Sequence, residues 1–202
     1  MGRHKTYHRD EVLDKAMKLF WKRGYAGAHL QELVKVTGLN RFSLYKEFGG
    51  KEGLFREAMA RYLAWLKQLT AVLLREPAGL ANIFQYLTDL LRVDFSHGCF
   101  MVNVLIQRSV VPAAVTDQLR EFIAGIEAAL LKNLQAAQAQ GDLAADLDVQ
   151  AVAKFLVVFD IGMVTHELLE PSRQDKELIA GVVLKLLGQD SVPQDLQQAL
   201  SS

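Results

Sequence analysis

One cysteine, no strand-like alternation and no net charge set the first limits on this chain of 202 residues. A lone thiol cannot close an internal disulfide and suits a reducing compartment, the cytoplasm. No segment alternates apolar and polar residues for long enough to build a sheet, and no repeat period recurs. The apolar runs 102–106 and 155–164 are too short or too punctuated to span a bilayer, no secretory leader is read, and no membrane partner is expected. The chain lacks a P-loop, a dinucleotide fingerprint, His-Glu-x-x-His and Gly-x-Ser-x-Gly. Its histidines (His4, His8, His29, His97, His166) are scattered. Asp160 and His166, six apart on one helix, fall on different faces. No catalytic residue, metal site or cofactor is therefore expected, and the reading is a non-enzyme.

What is present is helical periodicity and a hidden charge asymmetry. Residues 1–51 carry 11 Lys+Arg against 5 Asp+Glu, a net of +6, and the remainder carries 12 against 18, a net of −6. A basic N-terminal module on an acidic body suits phosphate binding. Half of the residues are hydrophobic, enough for a core in two all-helical domains.

Leu30 to Phe48 reads as two short helices around a tight turn. Leu30, Leu33 and Val34 recur at helical spacing; Thr37-Gly38 stops that helix, since glycine tolerates the left-handed conformation that closes a helix end. Asn40 can cap the next helix, 41–47, which buries Leu44 and Phe48 and leaves Arg41, Phe42, Ser43, Tyr45 and Lys46 partly free. That is helix-turn-helix geometry, whose second helix fits a DNA major groove. A helix over 8–23, with Val12, Leu13, Ala16, Met17 and Phe20 on one face, precedes it and completes a three-helix domain.

Ala16-x-x-Leu19-Phe20, Gly24-Tyr25, Leu30 through Val34, Gly38-Leu39-Asn40, Leu44-Tyr45-x-x-Phe48 and Lys51-Glu52-x-Leu54 together resemble the TetR/AcrR transcriptional regulators. The likeness covers the first quarter of the chain. Ala28-His29 stands where that family usually opens its second helix with Thr or Ser, Phe42 where a small residue is common, and Val34 where Ala is usual. The resemblance implies an N-terminal DNA-binding domain (1–50), a helical ligand-binding and dimerisation domain (51–188) and a polar tail (189–202). Arg41, Phe42 and Ser43 would meet bases. Tyr45, Lys46 and Lys51, with His29, Asn40 and the Arg3/Lys5 arm, would complete the DNA-facing set.

The body reads as helices over 51–75, 80–95, 99–111, 112–140, 149–169 and 173–187. Apolar residues with sparse polar groups suggest a small-molecule cavity: Phe84, Leu87, Leu91, Phe100, Asn103, Val104, Gln107, Phe122, Phe155, Phe159, Asp160 and Met163. The last two helices carry more apolar surface than one neighbour can cover. Leu156, Gly162, His166, Ile179, Val182, Val183 and Leu186 are the expected dimer face, a four-helix bundle across a two-fold axis. Cys99, after His97-Gly98, is either a packing residue or a redox thiol. The segment from Gly98 to Asn103 resembles that of a family branch with members that respond to electrophiles or oxidants.

The sequence thus points to a homodimeric repressor on a palindromic DNA operator, released when a small effector alters the angle of the helix over 51–75. The recognition helices would then leave the roughly 34 Å spacing of successive major grooves. A thiol-switched regulator using Cys99 is the nearest alternative. A non-specific architectural DNA binder and an enzyme on a helical scaffold are alternatives of other classes.

Overall fold

The computed structural model describes residues 7–95, 98–169 and 173–188. Arg3, Lys5, His97 and the tail 189–202 lie outside the described residues. Among those residues the order is α1 (Arg9–Gly27), α2 (Leu30–Thr37), α3 (Arg41–Phe48), α4 (Lys51–Thr70), α5 (Leu80–Arg92), α6 (Phe100–Ile106), α7 (Ala113–Gln140), α8 (Val149–Leu169) and α9 (Arg173–Leu186), with no strand.

Several boundaries differ from the sequence reading. Helix α4 does not reach residue 75; it tightens into a 3-10 turn over Ala71–Leu74, a common way for a helix to end. Helix α5 stops at Arg92 because Val93 is already extended (φ −72°, ψ 132°). Helix α6 is only seven residues long. Its continuation breaks into turns, among them Val110 N–H to Gln107 O at 3.0 Å.

The chain forms two compact units. The described residues through Trp65, together with Phe100–Glu121, form one; Leu66–Cys99 and the described residues from Phe122 onward form the other. Contacts therefore interleave the chain, whereas the sequence pattern divides it at residue 50.

The first unit is built on an aromatic core. Phe20 meets Phe55 edge-on at 4.8 Å, and Phe55 meets Phe100 at 5.9 Å. Trp21 stacks on Phe100 at 6.0 Å, and Tyr62 meets it edge-on at 5.6 Å. A mid-chain segment thus supplies a fully buried ring to the N-terminal helices, and truncating such a ring to alanine typically costs about 3–5 kcal/mol. Gly53 lets α4 start hard against α3, since a Cβ there would lie 1.6 Å from the Phe48 carbonyl oxygen. Arg61 clamps α4 to α1, its Nε 2.5 Å and its second terminal nitrogen 3.0 Å from the two carboxylate oxygens of Asp14.

The second unit packs α5, α7, α8 and α9 around Ile83, Leu87, Leu130, Leu134, Leu156, Val183 and Leu187. Asn133 is fully buried there, with every side-chain valence met. Its Oδ1 accepts from Gly79 N–H (3.0 Å) and Asn82 Nδ2 (2.9 Å). Its Nδ2 donates to Leu73 O and Ala129 O, both at 2.8 Å. The loop before α5 is anchored by this amide together with Asn82, which donates to Arg75 O and Pro77 O, and Gln140, which donates to Ala78 O.

Helix α8 is long and apolar enough over Val149–Leu168 to cross a membrane by length and composition alone. Lys154, Asp160 and Glu167 interrupt it.

Candidate functional site

The turn between α2 and α3 is held by its own side chains. Gly38 closes α2 in the left-handed region (φ 73°), and its N–H reaches Val34 O. Thr37, buried, donates its hydroxyl to Leu33 O at 2.6 Å and accepts Leu39 N–H at 3.3 Å. Asn40 Oδ1 then accepts Ser43 N–H at 2.8 Å, the N-cap expected from sequence. Helix α3 buries Leu44 and Phe48. Its other face is open: Phe42 is 76% and Tyr45 51% exposed. Arg41 and Lys46 are exposed beside them, with Ser43 partly so. The Arg41 guanidinium lies 6.0 Å from the Tyr45 ring centroid. Arg41, Phe42, Ser43, Tyr45 and Lys46 thus share one short helix, as the sequence reading requires.

His29 and Lys51 stand differently. His29 occupies the N-cap position of α2 but makes no side-chain cap bond, and it is exposed. Lys51 is partly buried. Its ammonium sits 4.7 Å from the Tyr25 ring centroid and donates to Ala26 O at 3.3 Å. Burial pulls its pKa below the ordinary lysine range. Lys51 is therefore engaged in structure as well as placed at the start of α4. Arg9, absent from the sequence-based set, lies 4.6 Å over the Phe48 ring of α3 and pairs with Glu57 of α4, which links α1 to both helices.

The expected cavity residues are divided between the two units. Phe100, Asn103, Val104 and Gln107 fall in the first. Phe100 completes the aromatic core, Val104 is buried, and the Gln107 side chain covers the Gly24 backbone so closely that a Cβ there would meet its Oε1. Phe84, Leu87, Leu91, Phe122, Phe155, Phe159, Asp160 and Met163 fall in the second unit. Phe155 is 44% exposed, its ring 6.2 Å from that of Phe159.

At the centre of that unit Tyr86 on α5 donates its hydroxyl to Asp160 Oδ2 on α8 at 2.6 Å. Asp160 Oδ1 is buried and has no hydrogen-bond partner. Burial lifts the Asp160 carboxyl to about 7 against the opposing effect of the Tyr86 hydrogen bond. Tyr86 is raised in turn, by burial first and then by Asp160.

The dimer-face residues separate into two groups. Leu156 and Val183, each 1% exposed, belong to the core of their own protomer and cannot face a partner. Gly162, His166, Val182 and Leu186 are exposed, with Ile179 partly so. They join Phe155, Val158 and Leu178, of which Val158 is 68% and Leu178 69% exposed. Positions 155, 158, 162 and 166 follow one stripe of α8, and 178, 182 and 186 one stripe of α9. Cys99 is buried, beside Gly98, whose left-handed φ of 77° places it against the Leu168 side chain.

A family model described as "Bacterial regulatory proteins, tetR family" matches residues 12–58, and one described as "Tetracyclin repressor-like, C-terminal domain" matches 77–180. The HTH-type transcriptional repressor ComR of Escherichia coli is 35% identical over 92% of this chain and 91% of its own. The uncharacterized HTH-type transcriptional regulator YezE of Bacillus subtilis is 30% identical over 77% of this chain and 84% of its own. Among solved structures, a cysteine mutant of the TetR family transcriptional regulator CifR, complexed with 26bp double-strand operator DNA, has a TM-score of 0.73 at 29% identity, covering 94% of this chain and all of that one.

Proposed function

This chain belongs to the TetR family of bacterial regulatory proteins, and from that premise we propose a homodimeric repressor released from a palindromic operator by a small molecule. Its activity is sequence-specific DNA binding in the regulation of transcription. The carrying observation is the open face of α3, where Arg41, Phe42, Tyr45 and Lys46 are exposed while Leu44 and Phe48 anchor the helix. Arg41 forks to guanine O6 and N7, and the Phe42 ring lies against a thymine methyl. Lys46 and Tyr45 hold backbone phosphates, with the Arg3/Lys5 arm and His29 assisting and Lys51 contributing from the start of α4. Asn40 acts through the backbone it caps.

The exposed apolar stripes on α8 and α9 support a second copy of the chain as the partner, because two such stripes closing on each other make a four-helix bundle. Two recognition helices then reach successive major grooves. The second unit, with its Asp160–Tyr86 pair among apolar residues, is the proposed effector domain, and a DNA partner implies a cytoplasmic protein. Footprinting on DNA upstream of its own gene and the adjacent genes tests the reading. A protected palindrome occupied by two protomers is expected; uniform coverage without a preferred sequence would contradict it and favour the architectural alternative.

A further inference from the structure

We propose that Asp160, held by Tyr86, is the polar anchor of the effector domain and selects a lipophilic ligand carrying a protonated amine. The inference rests on the effector reading above and adds the chemical class of the ligand.

The contrast with Asn133 motivates it. Both side chains belong to the same unit, yet fully buried Asn133 satisfies all of its valences, whereas part-buried Asp160 leaves its buried Oδ1 without a donor. A buried polar group kept only for structure is normally fully hydrogen-bonded. Asp160 lies on the core side of α8, one helical turn from Leu156 and from Val164, both buried. Phe159 and Met163 on α8 and Phe84 on α5 are partly buried apolar neighbours in sequence that pack on the same core. Among the described residues no Lys, Arg or His is paired with it. Tyr86 fixes Oδ2.

The chemistry then discriminates among ligands. An anion would meet the like charge of a carboxylate. A bare divalent ion needs several oxygen, nitrogen or sulfur ligands, and among the described residues no group of three His, Cys, Asp or Glu could hold one. An ammonium donates to the open oxygen in a charge-assisted bond, while an apolar body suits the apolar side chains packed on the same core. Because burial places the carboxyl near 7, a cation can draw it into the ionised form at neutral pH.

The test uses matched probes on the full-length protein: octylamine, octanol and octanoate, and the naphthylmethyl amine, alcohol and carboxylate. Binding is read by melting temperature and by loss of operator binding in fluorescence anisotropy. The amines are expected to bind and release operator at concentrations at least about tenfold below the alcohols, as a charge-assisted hydrogen bond implies, with no effect of the carboxylates. Asp160→Asn keeps an acceptor for Tyr86 and is expected to bring amines to the level of alcohols. Equal action of alcohols and amines on wild type, or an amine preference that survives in Asp160→Asn, overturns the anchor while the effector reading stands. If no probe of any series binds, the proposal fails together with that reading.

Discussion

Asn40 Oδ1 accepts the Ser43 backbone N–H at 2.8 Å, so the first turn of α3 is fixed by its own N-cap residue. Asn40→Ala should cost about 1 kcal/mol of stability, the usual worth of an N-cap. Asn40→Asp should retain that stability, since a carboxylate caps as well and suits the positive helix end. It should nevertheless weaken operator binding by placing negative charge beside phosphates. Urea unfolding and anisotropy on the same three proteins separate the two effects; a stability loss in Asn40→Asp equal to that of alanine would contradict this.

Adjacent valines on α9 should behave in opposite ways. Val182 is 53% exposed and Val183 1%. Val182→Glu should leave the fold intact and yield a monomer in sedimentation, with operator affinity falling because two half-sites are no longer linked. Val183→Glu should instead unfold the second unit, because it buries a charge among apolar side chains. A dimeric Val182→Glu would show that α9 does not form the interface.

Asp160 makes a distinct pH signature. Its folded-state pKa is raised from 3.8 to about 7, so the native state holds a proton that the unfolded chain has released. The contribution is fully present below about pH 4 and is lost as pH rises towards 7, at about 1.4 kcal/mol per pH unit. Asp160→Asn removes that titration. The variant should therefore gain on wild type between pH 5 and 7 in urea unfolding and hold its advantage above. Parallel pH profiles would mean that the carboxyl is not shielded as the structure has it.

Cys99 is buried, which separates the two switching readings. Iodoacetamide should label the native protein slowly at neutral pH, and Cys99→Ser should keep operator affinity nearly unchanged, because a thiol sensor needs access and thiolate character. Labelling within minutes, or peroxide-sensitive DNA binding that Cys99→Ser abolishes, would establish the thiol switch instead.

The helix-turn-helix was legible because its signals are local. Gly38, Asn40, Leu44 and Phe48 each act within one or two turns of themselves. The contacts of Lys51 were not legible, because nothing near it in sequence indicates that Tyr25 and the Ala26 carbonyl will meet its ammonium. Phe100 was legible as buried, but not as buried against Trp21, Phe55 and Tyr62. An aromatic stripe announces a core without saying which one. Which apolar residues of α8 and α9 lie inward and which outward was half legible for a related reason. Helices α8 and α9 carry apolar residues on more than one side, so periodicity cannot assign Leu156 and Val183 inward and Val182 outward. Asn133 went unnoticed, since a single amide in a helix signals nothing until its four partners converge.

The most direct test of the central claim is the effect of Arg41→Ala measured on the footprinted operator and on random duplex, each across a salt series, with Lys46→Ala beside it. Lys46→Ala should weaken both DNAs and lower the salt slope by about one unit. Arg41→Ala should cost about 1–3 kcal/mol mainly on the operator. Equal losses for Arg41→Ala on the two DNAs would contradict the claim that the exposed face of α3 reads sequence.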